Sequence, residues 1–277
     1  MRLRALAVVS AFVLAGAAPA TAQPELDQCV PADLRHDAIS FRADDHVVLR
    51  GLVLGSGSSG VLLTPGTGES LCAWLPLARQ LADDGYQVFL HQVRAGVVPR
   101  GEYRYGLDVM GAARELQRRD ATSIVAAGAG TGATAVAATA EKISGLKGLV
   151  LLSPFAVTRQ GTELDAVAGV RAVDVPAFVA AAQNDDMAGE AREVAGAAPD
   201  SRLKIAPGAA SGAALTADSS MRDEVRAFVR EAMPPRTLLE RWTLPISGVV
   251  LLALVVAGVV VLRRRNTTTP PDLSAGS

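Results

Sequence analysis

Imidazole is the side chain best suited to moving a proton near neutral pH, and this sequence has three of them, His36, His46 and His91. His91 closes an apolar run at 87–91, where a strand end would present it close to Arg94. A hydroxyl becomes a nucleophile only with a base within about 3 Å, so Thr131, Ser153 and Ser70 qualify only if the fold carries them to His91. Asp185 and Asp186 form an adjacent pair of carboxylates. Each of these residues also has a plainer role. His91 would bond its own loop, Thr131 would start a helix, Ser153 would cap a Leu-Leu-Ser-Pro turn, and the aspartate pair would cap another helix.

Gly128-Ala129-Gly130-Thr131-Gly132 follows an apolar run and precedes a helix of small residues, which also fits the opening of a dinucleotide-binding fingerprint. The acidic residue that would hold a ribose about 20 residues further on is missing, because that stretch reads Ser153-Pro154-Phe155. Gly66-Thr67-Gly68-Glu69-Ser70 lacks the lysine of a phosphate loop. No Cys/His cluster and no histidine pair has metal-ligand spacing. The expectation is a protein without cofactor or metal.

The elements that position these residues alternate in type. A strand pair at 38–42 and 46–54 turns at Asp44-Asp45. After it come short apolar strands at 60–64, 87–91, 123–127, 148–152, 177–182 and 202–205. Between and after them lie amphipathic or small-residue helices at 71–83, 107–119, 131–142, 189–197 and 221–233. Antiparallel strands followed by βα units predict a mostly parallel sheet with helices on both faces.

Six segments of that succession read LLTPGTGES (62–70), FLHQVRAG (89–96), IVAAGAGTGATA (124–135), GLVLLSP (148–154), VPAFVAAAQND (175–185) and KIAPGAASG (204–212). In order and spacing the chain resembles the α/β-hydrolase family over nearly all of 38–233. The resemblance implies an α/β fold with a strand running into a G-x-S-x-G elbow, a serine nucleophile there, and an acid and a histidine later in the chain. Part of the oxyanion hole would come from the loop after the first parallel strand. Carried onto this sequence, the nucleophile position is Gly130, the acid Asp185 and the histidine position Ser211. Gly130 has no side chain with which to attack, and no histidine follows it anywhere in the chain. The expected domain is therefore a non-catalytic member with a minimal lid, since only 153–175 separate the sixth and seventh strands. The alternative is an esterase or acyl-transfer enzyme with displaced residues, drawn from His91, Thr131 and Ser153.

The ends of the chain carry a separate message. Arg2 and Arg4, an apolar run at 5–18 and Ala20-Thr21-Ala22 make a signal peptide at 1–22, with the mature chain starting at Gln23. The stretch 244–262 has no charge, would reach about 28 Å as a helix, and is followed by Arg263-Arg264-Arg265. These features predict a single-pass protein of the cell membrane with its N-terminal domain outside. Its parts would be a lead at 23–37, the domain at 38–233, a linker at 234–243, the span, and a cytoplasmic tail at 263–277. Residues 23–240 carry 27 acidic and 21 basic side chains. Such a surface does not attract nucleic acid, so the expected partners are the membrane and a small molecule or envelope protein in the cleft. Cys29 and Cys72 fall outside the membrane, where thiols oxidise; a mutual disulfide is expected, two unconnected thiols being the alternative.

Overall fold

The computed structural model describes residues 25–94, 104–159 and 162–235. The expected signal peptide, membrane span and tail lie outside the described residues, among which no helix is long and apolar enough to cross a membrane.

Strands β1 (Ala38–Arg42), β2 (Val48–Leu54), β3 (Ser59–Thr64), β4 (Gln87–His91), β5 (Ser123–Ala129), β6 (Leu146–Leu152), β9 (Ala177–Ala182) and β10 (Ser201–Ala206) form one sheet in the order β1-β2-β4-β3-β5-β6-β9-β10. Strand β2 pairs antiparallel with β1 and with β4, and the remaining pairings are parallel. The predicted strand pair is thus present, although His46 belongs to the turn, with φ 67°.

Central strands bury both faces, which is why they read as continuous apolar runs. Their side chains still alternate. Leu62, Ile124, Ala126, Leu149, Leu151 and Val179 face a core covered by α2 (Tyr105–Arg118), α3 (Thr131–Thr139), α4 (Ala166–Arg171) and α5 (Ala188–Ala197). Val61, Leu63, Val125, Val150, Leu152 and Phe178 face a second core covered by α1 (Leu75–Asp83) and α6 (Ser219–Ala232).

Most predicted boundaries move by up to two residues, and three stretches differ in kind. The helix expected at 71–83 is a 3₁₀ turn, Leu71–Trp74, followed by α1, whose opening carries Pro76. Proline favours the first helical turn because it has no N–H to donate there. The helix expected at 131–142 tightens after Thr139 into a 3₁₀ turn, Ala140–Lys142. The stretch 153–175 is not bare loop, since it holds a small pair of antiparallel strands, β7 (Val157–Thr158) and β8 (Leu164–Asp165), and then α4.

Cys29 and Cys72 form a disulfide across 43 positions, worth about 4 kcal/mol on the chain-entropy model. It ties the lead to the turn before α1. Leu26 and Val30 of that lead enter the α1/α6 core. Asp27 accepts hydrogen bonds from the Ser70 hydroxyl (2.6 Å) and the Leu71 amide (3.0 Å). Ser70, a candidate nucleophile by type, is therefore a strut for the lead.

Where β4 ends, the buried Arg94 donates through Nε and Nη2 to Asp108 Oδ1 (2.9 and 2.7 Å) and through Nη1 and Nη2 to Asp45 (2.7 and 3.0 Å). Asp108 is fully buried, and burial pushes its carboxyl up to about 6 against the pull of Arg94. Hydrogen bonding to Arg94 holds the Asp45 carboxyl below its usual value. Removing one partner of a buried pair costs about 3–5 kcal/mol because the other charge stays behind. Arg94→Met should lose that much stability in urea unfolding. The deficit should be smaller at pH 5 than at pH 8, since an Asp108 left alone can take a proton only at the lower pH.

His91 is wholly buried, packing edge-on to Phe41 at 5.6 Å between ring centres. Its Nδ1 donates to the Gln92 carbonyl (2.9 Å), leaving Nε2 to accept from the Thr64 hydroxyl (2.9 Å). Burial lowers its pKa to about 4, against the opposing carbonyl bond. The folded value lies below the unfolded 6.5, so this contribution is complete above pH 6.5 and is lost as pH falls toward 4, up to about 3 kcal/mol. His91→Gln should remove that acid-side slope. The stability difference between wild type and variant, measured by denaturant unfolding, should shrink steadily from pH 7 to pH 4.

Candidate functional site

The candidate site lies at the carboxyl ends of β3, β5, β6 and β9, the edge at which a parallel sheet offers its loops. Strand β5 runs straight into α3 through Gly130, whose φ 51° and ψ −123° make a sharp elbow. Only glycine adopts such a conformation at little cost. The flanking glycines answer a different need, close approach of backbone. A Cβ on Gly132 would lie 2.3 Å from the Pro65 carbonyl oxygen, and one on Gly128 would lie 2.5 Å from that of Gly132. At Gly130 itself a Cβ would meet nothing nearer than Gly66 Cα at 3.9 Å. The elbow geometry is therefore kept, with room for a side chain and none present.

Asp185 stands at the end of β9, as the sequence placed it. Its Oδ2 accepts from the Ser153 hydroxyl (2.6 Å) and its Oδ1 from the Met187 amide (3.0 Å). Ser153 Oγ also accepts from the Gly212 amide (2.9 Å). Ser153 is fully buried and has φ 50°, unusual for a residue with a side chain. This hydroxyl fastens β6, β9 and the 212 loop together and is closed to any substrate.

Ser211, the expected histidine position, is exposed and makes no capping bond. The residue directed into the site is its neighbour Gly212, buried, with φ 58°. A Cβ there would lie 3.5 Å from Ala129 Cβ and only 2.1 Å from Glu69 Oε1.

Glu69 is the residue that sequence reasoning did not single out. Its Oε2 accepts from the Gly66 amide (2.8 Å) and its Oε1 from the Ala213 amide (3.0 Å). One carboxylate thus joins the loop after β3 to the 3₁₀ turn Gly212–Ala217. The bond to Gly66 spans three positions and is a local turn contact that the sequence could have suggested. Nothing in the sequence points to residue 213.

The second amide of the same loop is also occupied. Thr67 N donates to Thr131 Oγ1 (2.8 Å), and the two threonine hydroxyls are themselves 2.8 Å apart. The Thr67 hydroxyl donates a hydrogen bond to the Tyr105 oxygen (2.8 Å). Thr131 is buried in this chain of hydroxyls, and no imidazole belongs to it. His91 spends both ring nitrogens on Thr64 and Gln92, so the structure does not bring together the displaced set of His91, Thr131 and Ser153. His36 is a surface residue, three-quarters exposed beside Asp37. Among the described residues no group of His, Cys, Asp and Glu could hold a metal ion.

No known family's sequence model matches this chain, and no curated protein matches it in sequence. Solved structures do. An esterase, RhEst1, from Rhodococcus sp. ECU1013 superposes with a TM-score of 0.60 at 12% identity, covering 71% of this chain and 99% of that one. The Pyrococcus furiosus esterase Pf2001 gives 0.61 at 16% identity, over 76% and 99% of the two chains. The enol-lactonase from Burkholderia xenovorans LB400 gives 0.55 at 15% identity, over 67% and 98%. With the sheet order, the elbow and the carboxylate after β9 already in place, these likenesses establish that the chain has the α/β-hydrolase fold.

Proposed function

We propose that this protein is a non-catalytic α/β-hydrolase-like domain, carried outside the cell on a single C-terminal span and serving to bind rather than to turn over a ligand. The observation that carries the reading is the Glu69 carboxylate. Acyl transfer through this fold needs a serine at the elbow, an imidazole beside it, and free amides where the oxyanion forms. Here the elbow is Gly130, a side chain at 212 would collide with Glu69, and the loop amides of Gly66 and Thr67 are taken by Glu69 and Thr131.

Charge makes the arrangement worse for catalysis than simple loss of the nucleophile. A developing oxyanion beside a carboxylate is repelled, so the charge at this loop opposes the transition state that acyl transfer would need to stabilise. Restoring a serine alone would therefore not restore an enzyme. The esterase reading would need an imidazole beside an accessible Thr131 or Ser153; among the described residues neither hydroxyl meets one, and Ser153, although bonded to the Asp185 carboxylate, is fully buried.

The full-length protein in detergent should leave p-nitrophenyl acetate and butyrate at the buffer rate and should not react with a fluorophosphonate probe. Gly130→Ser should remain equally inert. Probe labelling of Thr131 or Ser153 that disappears in His91→Ala, with the fold intact by circular dichroism, would overturn the proposal in favour of a displaced catalytic site.

A further inference from the structure

We infer that the domain stands on its membrane with the cleft facing away from the bilayer, so that whatever occupies it is a water-borne solute arriving from outside and not a lipid of the host membrane. The inference rests on the tethered reading and adds a direction to it.

Helix α6 begins just after the 3₁₀ turn Gly212–Ala217 that borders the cleft and runs back along the sheet. Fourteen residues carry it about 21 Å. Its end is fixed at the opposite edge. Tyr86 donates its hydroxyl proton to the Met233 carbonyl (2.9 Å), immediately before β4 begins. A Cβ on Gly148, near the start of β6, would lie 3.1 Å from Ala232 Cβ, and one on Gly85 would lie 3.8 Å from Pro235 Cβ. Arg226 Nε and Nη2 hold Asp84 by two bonds of 2.9 Å, securing the last turns of α6 to the end of α1. The chain therefore leaves the domain where the strands start, while the cleft lies where they end.

Length decides between the two orientations. Between Pro235 and the uncharged stretch at 244–262 lie the eight residues 236–243, which reach about 29 Å when fully extended. A domain of this size is about 40 Å across. To turn the cleft toward the lipid, those eight residues would have to retrace at least the length of α6, about 21 Å, and be held drawn out along the domain, at the conformational-entropy cost of ordering each of them. With the exit edge toward the bilayer, the same linker is ample.

The test uses the full-length chain in phospholipid vesicles with an energy-transfer acceptor on the lipid headgroups. Cys29 and Cys72 are bonded and no free cysteine remains among the described residues, so single introduced cysteines can be labelled. Ser211→Cys and Asp186→Cys mark the cleft rim, and Lys142→Cys and Asp200→Cys mark the exit edge, all four being exposed positions. Exit-edge labels should be strongly quenched, and rim labels should report a distance about 20 Å greater. Rim labels quenched as strongly as exit-edge labels would overturn the orientation while leaving the tether intact. A protein that fails to float with the vesicles would overturn the tethered reading, and this inference with it.

Discussion

The bond pair made by Glu69 is the constraint around which the candidate site is organised. Two backbone amides from loops 147 positions apart, Gly66 and Ala213, converge on one carboxylate. Hydrogen bonds to a charged acceptor are stronger than neutral ones and shorten accordingly. Once they form, the loop after β3 and the turn before α6 cannot separate to admit a reacting group, and any side chain at Gly212 is displaced. The neighbouring bonds extend the same closure. Ser153 ties Gly212 to Asp185, and Thr131 ties Thr67 to the start of α3.

The rest of the molecule explains why these loops meet at all. Strands β3, β5, β6 and β9 are parallel neighbours, so their carboxyl ends share one edge and deliver Gly66, Gly130, Ser153 and Asp185 to it. The two apolar layers fix that edge from both faces. Retention of the elbow needs no catalytic reason, because Gly128 and Gly132 let α3 press against Pro65, and any residue too large there would push the helix off the sheet. The α/β-hydrolase fold can thus keep this elbow for packing reasons alone.

What the sequence made legible follows the same division. Strand positions and the elbow were readable because short continuous apolar runs and glycine punctuation are local signals, and Asp185 was readable because it lies in the turn that follows a strand. The split of the predicted 71–83 helix was signalled by Pro76, whose preference for a first turn marks where α1 begins. Ser211 and Gly212 illustrate the limit of pattern: one position separates an exposed serine from a buried glycine aimed at Glu69, and no periodicity operates in a Gly-Ala-Ala-Ser-Gly loop. His91 looked like a potential base because it ends a strand near the site. Its neutrality depends on Thr64 and Phe41, which the sequence places 27 and 50 positions away. Glu69 was invisible for the same reason, since a loop carboxylate takes its meaning from the partner it finds in three dimensions.

Amide hydrogen exchange of Gly66 and Ala213, read by NMR with and without Glu69→Ala, tests the central claim most directly. If the Glu69 carboxylate holds both amides, they exchange slowly in the wild type and at least tenfold faster in the variant, while β5 amides are unchanged. Fast exchange of both amides in the wild type, or no response to the substitution, would contradict the account.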